Sequence, residues 1–297
     1  MRHIRLFLSI FAGFACISVL NSCNTCNRPQ TLESIVIDID LSELADESIY
    51  LSMSNQVLYA LPTPIEASML VKNWGVPHTE LLNDPAHASA YLTKKKQALN
   101  LGVYITDLTT AGIYEQTQTV LRYKQAIMQL IEGLGLQSAA DADKIKELED
   151  NLNNKSELLR IVSDIYASCT EFLSEDDRDF YALAMLSGGW VEGMHLATGM
   201  IDENDAASLE NMKNVVTENK LTFDLLWEAL GNLDVIPDEA LYLMLDMSYL
   251  AHIYGHSTLL SVSAGNEARG SIDNVTPEFF ADFKSHIAQL RNQFTKI

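Results

Sequence analysis

"TVLRYKQAIMQLIEGLGL", residues 119–136, places Val120, Tyr123, Ile127, Leu130 and Leu134 at intervals of 3, 4, 3 and 4. Those intervals keep step with the helical turn, so the five side chains share one face of a helix packed on a core. The pattern recurs in Leu158, Val162, Ile165, Cys169 and Phe172, and again in Phe280, Phe283, Ile287, Leu290 and Phe294. Alternating strand patterns are nearly absent. "SIVIDIDL" at 34–41 is the one candidate; without a partner strand it reads as an extended lead-in or a first helical turn. The periodicity predicts an all-α single domain of nine or ten mostly antiparallel helices.

Capping residues mark where those helices begin. Thr63-Pro64-Ile65-Glu66 is a capping box with proline at the first helical position. Asp84-Pro85, Ser138-Ala-Ala-Asp141, Ser174-Glu-Asp-Asp177 and Thr276-Pro277 read as four further starts. Helices are expected near 42–60, 64–74, 92–111, 115–134, 139–152, 156–173, 175–200, 205–230 (bent or broken), 238–258 and 277–295. Arg291 and Lys296 stand where the negative end of the last helix favours cations. The connectors are short, the longest being "SAGNEARGSIDN" at 263–274, and short turns between long helices make sequence neighbours antiparallel.

Nearly half of the 297 residues are apolar, which supports a buried core and argues against disorder. Acidic residues number 40 against 20 basic ones, a net charge of -20. That excess repels phosphate backbones and excludes nucleic acid as a partner.

The N-terminus reads as an address. Arg2 and Arg5 precede an apolar run from Leu6 to Leu20, too short in a helix for a hydrocarbon slab roughly 30 Å thick. A cleaved leader, residues 1–22, is therefore expected in place of a permanent span. It ends Leu20-Asn21-Ser22-Cys23, which resembles the lipobox of bacterial lipoproteins. The resemblance implies a diacylglycerol on the Cys23 thiol, cleavage after Ser22 and acylation of the new amino group. More than one acyl chain is what a stable anchor needs. Residues 23–33 are polar, contain Pro29 and read as a tether; residues 34–297 form the helical domain. The missing acidic cluster behind Cys23 favours the outer membrane's periplasmic face.

Residues 57–136 also resemble a family of uncharacterised, helical Bacteroidetes lipoproteins. The matching landmarks are the P-x-P-I-E start at Pro62–Glu66, the segment "ALNLGVYITDL" at Ala98–Leu108, and Gln116–Gln118 ahead of a helix ending in glycine. The resemblance implies an envelope lipoprotein with an all-helical body and carries over no catalytic residue.

Several side chains could carry chemistry. Glu192 and His195 form Glu-x-x-His, two ligands on one helical face, and His252 and His256 form an i, i+4 pair. Together they are a candidate metal site, weighed against four ordinary hydrogen-bonded or surface residues. Asp107, flanked by Tyr104, Ile105 and Leu108, is an acid near the core. It either accepts hydrogen bonds there or marks a polar pocket with a raised pKa. With Tyr104 and Gln118 it makes a candidate ligand-binding set. Gly189 and Gly193 invite close helix packing. Cys169, within an apolar stripe, reads as a core residue, and the cysteines make no disulfide framework. Phosphate-binding loops, nucleophile elbows, dinucleotide fingerprints and paired C-x-x-C motifs are all missing from the sequence.

These features favour a lipid-anchored envelope protein that binds or scaffolds a partner. A metal-dependent enzyme using the Glu/His set and a carrier holding a small molecule or lipid between helices are the alternatives.

Overall fold

The computed structural model describes residues 79–140, 142–176, 178–202, 208–233, 235–256, 272 and 275–297. Every α or strand element among them is helical. They are α1 (Lys94–Ile113), α2 (Thr117–Leu134), α3 (Ala142–Asp150), α4 (Lys155–Glu175), α5 (Asp179–Gly199), α6 (Leu209–Glu218), α7 (Lys220–Gly231), α8 (Asp238–Ile253) and α9 (Pro277–Thr295). Two short 3-10 helices, Thr79–Leu81 and Pro85–Ala90, precede them. The expected helices at 42–60 and 64–74, the Thr63 capping box, the Pro62–Glu66 landmark, the leader and Cys23 lie outside the described residues. None of the described helices is long and apolar enough to cross a membrane.

The three stripes behave as their periodicity requires. Val120, Tyr123, Ile127, Leu130 and Leu134 are all buried on α2, and Phe280 through Phe294 on α9. On α4 the stripe is buried from Leu158 to Cys169, and Phe172 packs at its edge. Cys169 is a core residue whose thiol burial pushes up to about 12, which removes the reactive thiolate. The break expected within 205–230 falls at Asn219, between α6 and α7.

Two helices at the centre have no polar face. All of α1 from Ala98 onward is buried, and α5 is buried without interruption from Ala182 to Met194. These two pack backbone to backbone. A Cβ on Gly102 would stand 1.9 Å from the Met185 carbonyl oxygen, and one on Gly188 would stand 1.9 Å from that of Leu99. Glycine alone fits either position, so the close approach expected of Gly189 and Gly193 centres instead on Gly102 and Gly188. Around this pair, α2 lies antiparallel to α1, with Lys94 near Gly133 and Tyr104 near Tyr123. α9 lies antiparallel to α5, with Lys284 near Ile201 and Arg291 on Glu192.

Helix ends depart from expectation in instructive ways. Thr93 and Thr276 cap α1 and α9 by accepting from the Lys96 and Phe279 N–H groups. Asp84 caps as expected, but what it opens is a 3-10 helix of six residues rather than an α-helix. Ser174 and Glu175 belong to the last turn of α4, and α5 starts at Asp179. α3 starts at Ala142, after a turn, and not at Ser138. Gly135 ends α2 in the left-handed region (φ 73°), and the Leu136 N–H donates to the Ile131 carbonyl at 2.9 Å, a Schellman closure. The cations at C-termini come mainly from other helices. Lys96 Nζ donates to the carbonyls of Gln293, Phe294 and Lys296 beyond or within the end of α9, a task sequence position assigned to Arg291. Arg291 points inward.

Candidate functional site

The inward turn of Arg291 creates a buried polar cluster. Its Nε donates to Glu192 Oε2 at 2.9 Å and its Nη2 to Glu192 Oε1 at 3.3 Å, a two-pronged pair across α9 and α5. Glu192 is 0% exposed and Arg291 12%. Removing both charges from water is costly, so the paired geometry is what makes the burial tolerable. Burial alone would lower the Arg291 pKa, but the adjacent Glu192 outweighs it and holds the guanidinium above its ordinary value.

Asp107 on α1 lies beside this pair and is itself fully buried. Its Oδ2 accepts from the Asn83 backbone N–H at 3.1 Å, while Oδ1 has no donor. Burial first, and then the neighbouring Glu192 carboxylate, drive the Asp107 pKa well above the ordinary carboxylate range; Arg291 opposes them. His195, one turn beyond Glu192, is kept from protonating by its own burial, against the pull of Glu192.

Three tyrosines close the cluster. The Tyr123 hydroxyl donates to the Asn83 carbonyl at 2.7 Å, and the Tyr104 hydroxyl donates to that of Asp84 at 2.8 Å. Tyr91 accepts from Asn83 Nδ2 at 3.1 Å and donates to the Thr295 carbonyl at 3.0 Å. Burial raises all three phenol pKa values, so each stays a neutral donor. Arg291 Nη2 adds a bond to the Leu81 carbonyl at 3.2 Å. The cluster therefore grips the backbone of residues 81–84 from α1, α2 and α9 at once.

The sequence-derived sets fare differently. Tyr104 and Asp107 meet in this cluster, but Gln118 stands exposed in the first turn of α2 and takes no part. The metal quartet is not assembled: Glu192 is engaged by Arg291, His252 is exposed, and His256 Nε2 pairs with Asp224 Oδ1 at 2.8 Å. Lys220 also binds Asp224, and Trp227 flanks the His256 ring. Among the described residues no three His, Cys, Asp or Glu side chains come together as a metal site. Sequence position offers no sign of Asn83 or Tyr91, reads Tyr123 only as a core residue and reads Arg291 only as a cation at a helix end. For Arg291 a signal existed: it is four residues after Ile287 and three before Phe294, on the edge of the buried stripe.

A second feature lies on the outside. Leu241, Tyr242 and Leu245 are 51%, 61% and 54% exposed on one face of α8, and Val235 and Ile236 continue the apolar surface ahead of it. Asp238 and Asp246 are exposed on the same helix. The molecule is thus an all-helical bundle with a buried ionic centre and an apolar outer face on α8. Compared with protein-family models, curated proteins and solved structures, the chain matches none.

Proposed function

We propose that the protein is a lipid-anchored envelope protein that binds a protein partner through the outer face of α8. The observation that carries this reading is the group of half-exposed Leu241, Tyr242 and Leu245 beside Val235 and Ile236. Scattered apolar side chains on a surface are ordinary; five within eleven residues of chain, three on α8 and two just ahead of it, are a docking feature. The large aromatic and aliphatic groups supply the area, and the acidic surroundings favour a partner with basic residues at the rim. Anchorage by a lipidated Cys23 would hold the body at a membrane face and raise its effective concentration toward other envelope components. The outer membrane's periplasmic face is the proposed location.

A photo-crosslinking side chain placed at Tyr242 in growing cells tests the reading. One discrete crosslinked species should form, and it should disappear in L241E/L245E while the circular dichroism of that variant stays unchanged. A diffuse smear, or the same species in L241E/L245E, would refute the assignment of this face.

A further inference from the structure

Asp107 raises a problem that its neighbours answer. Three ionisable groups, Asp107, Glu192 and Arg291, meet where water does not reach, and only one of them is a cation. With both acids ionised the cluster would hold an uncompensated negative charge, and Asp107 Oδ1 would remain without a donor. Buried polar atoms are almost always satisfied, and buried charges are almost always paired. Asp107 sits on the Asn83 N–H, and Glu192 on an Arg291 whose Nη2 reaches the Leu81 carbonyl, so both acids border residues 81–83 and Glu192 is the carboxyl that acts on Asp107. A single proton resolves both defects.

We propose that Asp107 carries a proton in the folded protein and donates it from Oδ1 to Glu192, so that the stability of the cluster gripping Leu81–Asp84 depends on that proton. The groups around it agree. Glu192 faces it from α5, Arg291 from α9, Tyr123 from α2 and Tyr104 from its own helix, while His195 and Tyr91 border the Glu192–Arg291 pair. Arg291 is already engaged by Glu192, burial lowers the His195 pKa, and the tyrosines are donors to backbone carbonyls, so no other group replaces the proton. The proton leaves Asp107 Oδ2 free to hold the Asn83 N–H. Asn83 in turn is held by Tyr123 and Tyr91, Asp84 by Tyr104 and Leu81 by Arg291, so with the Asp107 contact the segment 81–84 is fastened at five points. Loss of the proton places two anions side by side between α1 and α5.

Because the folded state retains a proton that the unfolded state has released, stability falls as pH rises above the ordinary Asp range. The unfolding constant grows about tenfold per pH unit until the folded state loses the proton too. Asp107→Asn reproduces the protonated geometry: its Nδ2 donates to Glu192 and its Oδ1 accepts from Asn83.

The test uses the full chain and two measurements. Infrared spectra at neutral pH should show a protonated-carboxyl band that is absent from D107N. The ratio of unfolding constants, wild type to D107N, should climb about tenfold per pH unit. If D107N does not fold, E192Q decides: with one acid beside one cation, Asp107 ionises and the band disappears. A wild type without the band, a band that survives in D107N or E192Q, or a flat ratio would overturn the proposal.

Discussion

Replacing Gly102 with alanine would put a methyl group 1.9 Å from the Met185 carbonyl oxygen and 2.6 Å from the Gly189 nitrogen. Both are backbone atoms, so no rotamer change relieves the clash. Restoring ordinary contact at 3.4 Å requires α1 and α5 to part by about 1.5 Å in an interior packed like a crystal. Overpacking of this kind costs roughly 1–3 kcal/mol, and separation of two helices buried on all sides adds lost dispersion contacts. The gain in helix propensity from glycine to alanine returns about 1 kcal/mol. The expected net loss is about 2 kcal/mol or more, a sizeable part of a typical domain's stability. Urea unfolding followed by circular dichroism and by Trp190 fluorescence measures it. Gly231→Ala is the control: its Cβ would meet only Met244 Cε at 3.7 Å, so that variant should be neutral or slightly more stable. If G102A unfolds at the same urea concentration as wild type, the backbone contact between α1 and α5 is not as described.

Two further variants probe other contacts. Arg291→Met leaves Glu192 as an unpaired charge in a site with no water access and should cost about 3–5 kcal/mol in urea unfolding, with partial recovery in the R291M/E192Q double variant. Glu115, exposed between α1 and α2, sits at φ 56°, where a side chain costs roughly 1–2 kcal/mol; Glu115→Gly should therefore raise the melting temperature despite the added freedom of the unfolded chain.

The parts of the fold visible in the sequence are those set by neighbours three or four residues apart. The stripes on α2, α4 and α9 were readable because each of those helices keeps one face in water, and the Thr276-Pro277 start was readable because a cap is made within one turn. α1 and α5 are buried all round, so they carry no stripe; their pairing is decided by Gly102 meeting Met185, across more than eighty residues of sequence. The same limit governs the site. Asp107 stood out as a charge amid apolar neighbours, and Tyr104 with it. Gln118 sits close to them in sequence, but the turn before α2 carries it to the surface. Arg291 was assigned to a helix terminus because its partner Glu192 lies 99 residues away. Glu192 and His195 share a helix face as their spacing requires, yet local spacing does not reveal that an arginine already occupies the carboxylate.

The functional account rests on attachment to a membrane through one sulfur atom. The mass of the N-terminal peptide from the detergent-extracted mature protein tests that most directly. The account predicts a chain beginning at Cys23, with a diacylglycerol on its thiol and an acylated amino group. A chain that retains Arg2 and Arg5, or a Cys23 with a bare thiol, would contradict it.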